Sequence, residues 1–210
     1  MSALNKAFEW ITKVAYLNLL WIGFTLSGLI LLGLFPSTAA TFAVVRKWVS
    51  GNTDIPLFKT FWKAFRESIV QANILGYIAV AAGYILYLDF LFITLVENDY
   101  VMLLTIPFLF VSILFILTSF YLFPVYVHYD MKVLQVIKSA FFIMVLNPLP
   151  TLVMVMGVFG ITYGLWNLQG LALFFSMSLL ALGLTMPAHK AFSKIQKKKA
   201  YLSKQKLMED

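Results

Sequence analysis

The residues with chemical potential in this chain are few, and most of them lie inside long apolar stretches. Asp89 is the one ionisable residue well within such a stretch. Leaving a carboxylate in hydrocarbon costs ~2.5–3.5 kcal/mol on insertion scales, so Asp89 should face a bundle interior or a water-filled cavity. There it would couple a proton or cation, or contact a polar solute; Tyr84 and Tyr87 are near it in sequence. The simpler alternative is a carboxylate about two helical turns from Glu97, hydrated at the outer surface. Asn147, Pro148, Leu149 and Pro150 interrupt a second apolar stretch. Each proline removes a backbone donor and frees a carbonyl at depth. Broken helices of this kind line solute sites in transporters, and they also serve as plain kinks.

Other chemistry finds little support. With no cysteine, disulfides, thiolate metal sites and thiol nucleophiles are excluded. His128, with Asp130 beside it, and His189 are two histidines far apart in sequence, and with no cysteine they make a weak metal case. No HExxH, GxSxG or P-loop pattern occurs, and Gly23-Phe24-Thr25-Leu26-Ser27 misses the nucleophile elbow. The expectation is a protein that is not an enzyme and uses neither cofactor nor metal.

The elements that must position these residues are membrane spans. Hydrophobic residues make up 61% of the 210 residues and charged residues 12%, about half the charge of a soluble domain. Stretches of ~20 apolar residues suit a hydrocarbon core ~30 Å thick. Five appear, at residues 15–35, 74–96, 101–123, 140–163 and 168–186, followed by a basic tail at 187–210. The predicted fold is all-α: one integral membrane domain, a polytopic bundle of about five transmembrane helices. Glu97-Asn98-Asp99-Tyr100 would close a tight hairpin between the second and third spans.

Basic residues set the orientation. Arg46, Lys47, Lys59, Lys63 and Arg66 follow the first span, and Lys132 and Lys138 follow the third. Lys190, Lys194, Lys197, Lys198, Lys199, Lys204 and Lys206 fill the tail, while the other two connections carry none. By the positive-inside rule the basic segments face the cytoplasm, which accounts for the net charge of +7 without nucleic acid. Five crossings and a cytoplasmic C-terminus place the N-terminus outside. Lys6 and Lys13 run against that, unless the first segment enters and returns at Pro36 and the small residues Ser37, Thr38, Ala39 and Ala40.

Residues 56–72 read differently. Phe58, Phe61, Trp62, Phe65 and Ile69 recur at helical spacing, with Lys59, Lys63 and Arg66 towards another side. Asp54 and Pro56 supply the start signal. This is an amphipathic interfacial helix on the cytoplasmic leaflet, either an anchor on anionic lipid or a contact for a partner. Asn18 and Asn73 read as interhelical hydrogen-bond partners. Gly160 with Gly164, Ala72 with Gly76 and Ala79 with Gly83 are small-residue pairs that let helices approach, with homo-oligomerisation a further use.

Gly33-Leu34-Phe35-Pro36-Ser37-Thr38-Ala39-Ala40, Val45-Arg46-Lys47-Trp48 and Phe58-Lys59-Thr60-Phe61-Trp62, together with the Asn147-Pro148 break, resemble the YesL family of bacterial integral membrane proteins. The family has no established activity and supplies no catalytic residues. Its members are often encoded beside sugar-uptake transporters and glycoside-degrading enzymes. The resemblance therefore implies a non-enzymatic accessory or regulatory component of solute uptake in the cell membrane, with a sugar-transporter permease as candidate partner. A small stand-alone transporter or channel using Asp89 and the broken fourth span is the alternative.

Overall fold

A computed structural model describes residues 3–95 and 103–209. Within them the chain forms seven α-helices and no strand. They are α1 (Ala3–Ser27), α2 (Leu34–Val49), α3 (Leu57–Leu95), α4 (Thr105–His128), α5 (Val133–Leu146), α6 (Pro148–Asn167) and α7 (Gln169–Glu209). Four segments are long and apolar enough to cross a membrane: α3, α4, α6 and the Gln169–Gln196 part of α7. Their outward faces carry exposed Leu, Ile and Phe side chains, as lipid-facing helices do.

The first predicted span is corrected by this fold. Residues 15–35 are not one helix: α1 stops at Ser27, and a tight turn returns the chain as α2. The turn sits at 28–33, one helical turn before the predicted bend, and Phe35, Pro36, Ser37 and Thr38 lie inside the first turns of α2. Pro36 is tolerated there because a helix's first N–H groups need no intrahelical acceptor. The two arms close on each other at their far ends too. Trp10 packs edge-on against Trp48 at 5.4 Å, and Lys13 meets Glu9 at 2.6 Å and Asp54 at 3.3 Å.

Two glycines make the turn possible. A Cβ on Gly28 would lie 2.5 Å from the Gly33 backbone, and one on Gly33 would lie 2.6 Å from the carbonyl oxygens of Phe24 and Thr25. Between them Leu29 and Ile30 adopt φ of 53° and 65°, a left-handed conformation that costs a β-branched residue ~1–3 kcal/mol. Contacts from α3 offset that strain: Tyr77 donates its hydroxyl to the Leu31 carbonyl at 2.7 Å, and the Asn73 amide donates to the Leu32 carbonyl at 3.1 Å. Leu29, Ile30, Leu31 and Leu32 remain exposed at the tip. Gly33→Ala should therefore lower the thermal unfolding temperature in detergent by several degrees, since only backbone would have to give. Gly23→Ala is the control. Nothing lies within 4 Å of Cβ there, and helix propensity favours Ala by ~1 kcal/mol. Equal behaviour of the two variants would show that the turn is not close-packed.

The predicted interfacial helix and second span are one helix. No proline interrupts Leu57–Leu95, so the 56–72 segment runs straight into the apolar half. The turn at Glu97-Asn98-Asp99-Tyr100 lies outside the described residues. The predicted fourth span breaks at Asn147, as its prolines require, into α5 and α6. The fifth continues through the basic tail as α7, with Pro187 inside it. Two buried clusters hold the bundle together. One joins α1 and α2 to Phe61 and Phe65 of α3 and Ala181 of α7. The other joins α4, α5 and α6 to Leu75 of α3 and Ala188, Ala191 and Phe192 of α7. Both α3 and α7 place buried residues in the two clusters, and α4 reaches the first through Phe123 and Val127.

Candidate functional site

A cavity of about 930 Å³ opens at the end of the bundle where α2 finishes and α3 begins. Its wall on α3 is built by helical periodicity. Lys59, Lys63, Glu67 and Gln71 form one i,i+4 row, and Pro56, Thr60, Ala64 and Ser68 form the next. Ala43, Arg46 and Lys47 from the last turns of α2 face them. The end of α4 and the segment after it complete the rim with Tyr126, Val127, His128, Tyr129, Asp130 and Met131.

Arg46 is fixed by a specific bond. One guanidinium nitrogen, Nη1, donates to the Val127 carbonyl, in the last turn of α4 where carbonyls have no intrahelical donor. The cation therefore caps α4 and locks it to α2, beside the stacked pair Phe42 and Phe123 at 5.7 Å. Lys63 and Glu67 stand 3.9 Å apart, at the limit of an ion pair, and both side chains are mostly exposed. Burial raises the Tyr129 phenol above its usual pKa, so it stays protonated and able to donate. Four cations thus share the cavity with two carboxylates, Glu67 and Asp130.

The structure brings together residues that the sequence suggested separately: Arg46 and Lys47 from one motif, Lys59 and Lys63 from the amphipathic segment. Arg66 is not among the cavity residues; its guanidinium carbon lies 5.9 Å from the Trp62 ring centre. The aromatic residues divide. Phe61 and Phe65 are buried in the core against the Phe24 ring, at 5.2 and 5.1 Å, whereas Phe58 (53% exposed) and Trp62 (42% exposed) stay available. Trp48 is buried in the first cluster. Phe35 sits on Gly76 and edge-on to Tyr77, and Thr38 accepts the Trp21 indole N–H at 3.1 Å. Ser37 is buried beside them in α2. The 33–40 block is therefore packing, and its small residues let α2 lie between its neighbours.

The two polar features expected at depth stand apart from this cavity. Asp89 does not face the interior. It is exposed on α3, in a shallow pocket of about 330 Å³ whose other lining residues, such as Leu86, Phe92 and Phe108, are all apolar. At the break, Pro148 has no N–H to offer the Met144 carbonyl, and the Thr151 hydroxyl lies 3.3 Å from that oxygen instead. The Asn147 side-chain amide donates back to the Ile143 carbonyl at 2.9 Å, and Tyr121 and Thr151 share a hydrogen bond of 2.9 Å. Asn147 and Thr151 are both buried, so these polar groups are spent on one another. Pro150 lies within the first turn of α6, where its ring is tolerated. His128 and His189, distant in sequence, come within 6.3 Å between ring centres, yet no third ligand joins them among the described residues.

Sequence reasoning missed Tyr129, Thr60, Ser68 and Gln71 as cavity residues. The i,i+4 row from Lys59 to Gln71 was readable; the arrival of the α4 end opposite it was not.

A family model described as "Protein of unknown function, DUF624" matches residues 14–90, which run from α1 to the outer half of α3 and include all four cavity cations. The chain is 39% identical to "Uncharacterized protein YesL" of Bacillus subtilis (strain 168), over 91% of this chain and 90% of the relative. It is 37% identical to "Uncharacterized protein YteU" of the same organism, over 82% and 78%. A third, "Uncharacterized protein YesV", also from Bacillus subtilis (strain 168), is 34% identical over 92% and 93%. No solved structure matches.

Proposed function

The chain belongs to the YesL family, and from that premise we propose that it is a non-enzymatic accessory component of bacterial solute uptake, carbohydrate uptake in particular. It works from the cell membrane with both termini in the cytoplasm. The observation that carries this reading is the gathering of charge at one end. Because α1 and α2 form a returning hairpin, the crossings are four: α3, α4, the α5–α6 pair and α7. All sixteen Lys and Arg residues, Lys6 and Lys13 included, then fall on one side.

The half-exposed Phe58 and Trp62, flanked by Lys59, Lys63 and Arg66, form the contact surface at that end. Its occupant is the cytoplasmic face of a membrane permease with acidic residues to match. A stand-alone transporter is the weaker reading, because Asp89 lies on an outer seam and the polar groups around Asn147 satisfy one another. Phe61 is the wrong residue to probe, since it is fully buried. The double variant Phe58→Ser with Trp62→Ser should instead abolish co-purification of the permease from native membranes in mild detergent, while insertion and unfolding temperature stay unchanged. Undiminished association would remove this surface from the function.

A further inference from the structure

We propose that the cavity between α2, α3 and the end of α4 is a binding site for a phosphate monoester. The inference rests on the cavity alone: the permease contact centres on Phe58 and Trp62, which do not line the cavity, and Lys59 and Lys63 border both. Charge, geometry and size each point to it. Arg46, Lys47, Lys59 and Lys63 line one cavity, and only Glu67 and Asp130 oppose them. A guanidinium has five N–H donors, so Arg46 keeps most of its fork after its bond to Val127, and that bond holds the fork in place. Lys59 and Lys63 stand one turn apart on the same row, spaced to flank a single tetrahedral anion from one side.

The backbone contributes as well. The Pro56 carbonyl accepts the Thr60 N–H at 2.9 Å, which marks Pro56 as the residue capping α3 and leaves the N–H groups of the first turn unpaired within the helix. Pro56 and Lys59 both line the cavity, so this positive helix end lies at its rim. The opposing negative end of α4 is blunted, because Arg46 has already taken the Val127 carbonyl. Thr60, Ser68, Gln71 and the protonated Tyr129 supply neutral hydrogen bonds for the organic part of the ligand. A volume of about 930 Å³ is far more than inorganic phosphate needs and suits a phosphorylated small molecule or a lipid headgroup.

The test uses the full chain in nanodiscs of phosphatidylcholine. Glycerol 3-phosphate is titrated in one arm, and phosphatidic acid is built into the disc in the other, with unfolding temperature as readout against sodium chloride at matched ionic strength. We expect a saturable rise in one or both arms, and which arm responds identifies a soluble or a lipid source. Lys59→Gln with Lys63→Gln should weaken the response at least tenfold and leave the ligand-free unfolding temperature unchanged, because both side chains are exposed. Arg46→Lys keeps the charge but loses the planar fork, and should weaken it by a comparable factor. The proposal is overturned if neither arm responds beyond sodium chloride, or if the double lysine variant responds like the parent.

Discussion

Single cysteines at Asn5, Asn52 and Gln205 should resist a membrane-impermeant maleimide in right-side-out spheroplasts, and all three should react once the membrane is permeabilised. A cysteine at Asn167, the last residue of α6 before the turn to α7, should react at once. The chain contains no cysteine, so each variant has one thiol and the result is all or none. All four positions are exposed. The expectation follows from the hairpin: Trp10 on Trp48 and Lys13 on Asp54 put the start of α1 beside the end of α2. A segment whose two ends meet has not crossed. Labelling at Asn5 before permeabilisation, with Asn52 still protected, would put α1 across the bilayer and restore a fifth crossing. Reversal of all four sites would invert the protein and contradict the positive-inside argument instead.

This test bears on the point where reading the sequence and folding the chain part company. An apolar run of ~20 residues is long enough to span, but length does not say whether the run stays one helix. Residues 15–35 satisfied the length criterion and still fold back, because Gly28 and Gly33 let two backbones touch and Asn73 and Tyr77 wait on α3 for the carbonyls of the turn. Those partners lie more than forty residues away in sequence, where no local pattern reveals them. Lys6 and Lys13 were the visible sign of a return, and the bend was sought at Pro36 instead of at the glycines. Local rules served well where the cause was local. Pro148 breaks the fourth stretch at Asn147, and residues 74–95 of the second apolar run and 105–123 of the third lie within α3 and α4.

The site divides in the same way. Lys59 and Lys63 were readable as one face of a helix, because their spacing is the helical period. Arg46 and Lys47 were readable as orienting charges and as part of a family-like motif, but not as cavity residues, since the place of Arg46 depends on Val127 arriving from α4. Phe61 and Phe65 were expected on a face open to lipid or a partner, and the returning hairpin covers them with Phe24. Once α1–α2 is a hairpin, Phe61 and Phe65 of the 56–72 segment become core, while Phe58 and Trp62 stay exposed. The one returning hairpin thus accounts both for the loss of residues 15–35 as a single helix and for the covering of Phe61 and Phe65.

Asn18→Leu should cost the largest fraction of stability of any single polar change, on the order of 10 °C in unfolding temperature. Asn18 is fully buried on α1. Its Nδ2 donates to the Leu173 carbonyl at 2.7 Å, while its Oδ1 accepts the backbone N–H of Met177 at 2.9 Å and of Ser178 at 3.2 Å. The Leu173 carbonyl and the Met177 N–H are the acceptor and donor of one i,i+4 pair of α7. The Asn18 amide therefore ties α1 to the α7 backbone at that point through three hydrogen bonds. Leucine fills a similar volume but removes all three hydrogen bonds, each worth ~0.5–1.5 kcal/mol. A net loss of roughly 2–4 kcal/mol corresponds to the expected shift for a chain of this length. Asn18→Asp should be worse, since it keeps the acceptor, loses the donor to Leu173 and buries a charge. Asn73→Leu supplies the calibration. Its amide serves two carbonyls, Leu32 and Ile69, and its oxygen has no partner, so the loss should be smaller. If Asn18→Leu unfolds no earlier than Asn73→Leu, the three bonds of Asn18 add no net stability, and the joint between the N-terminal hairpin and the last span rests on apolar packing alone.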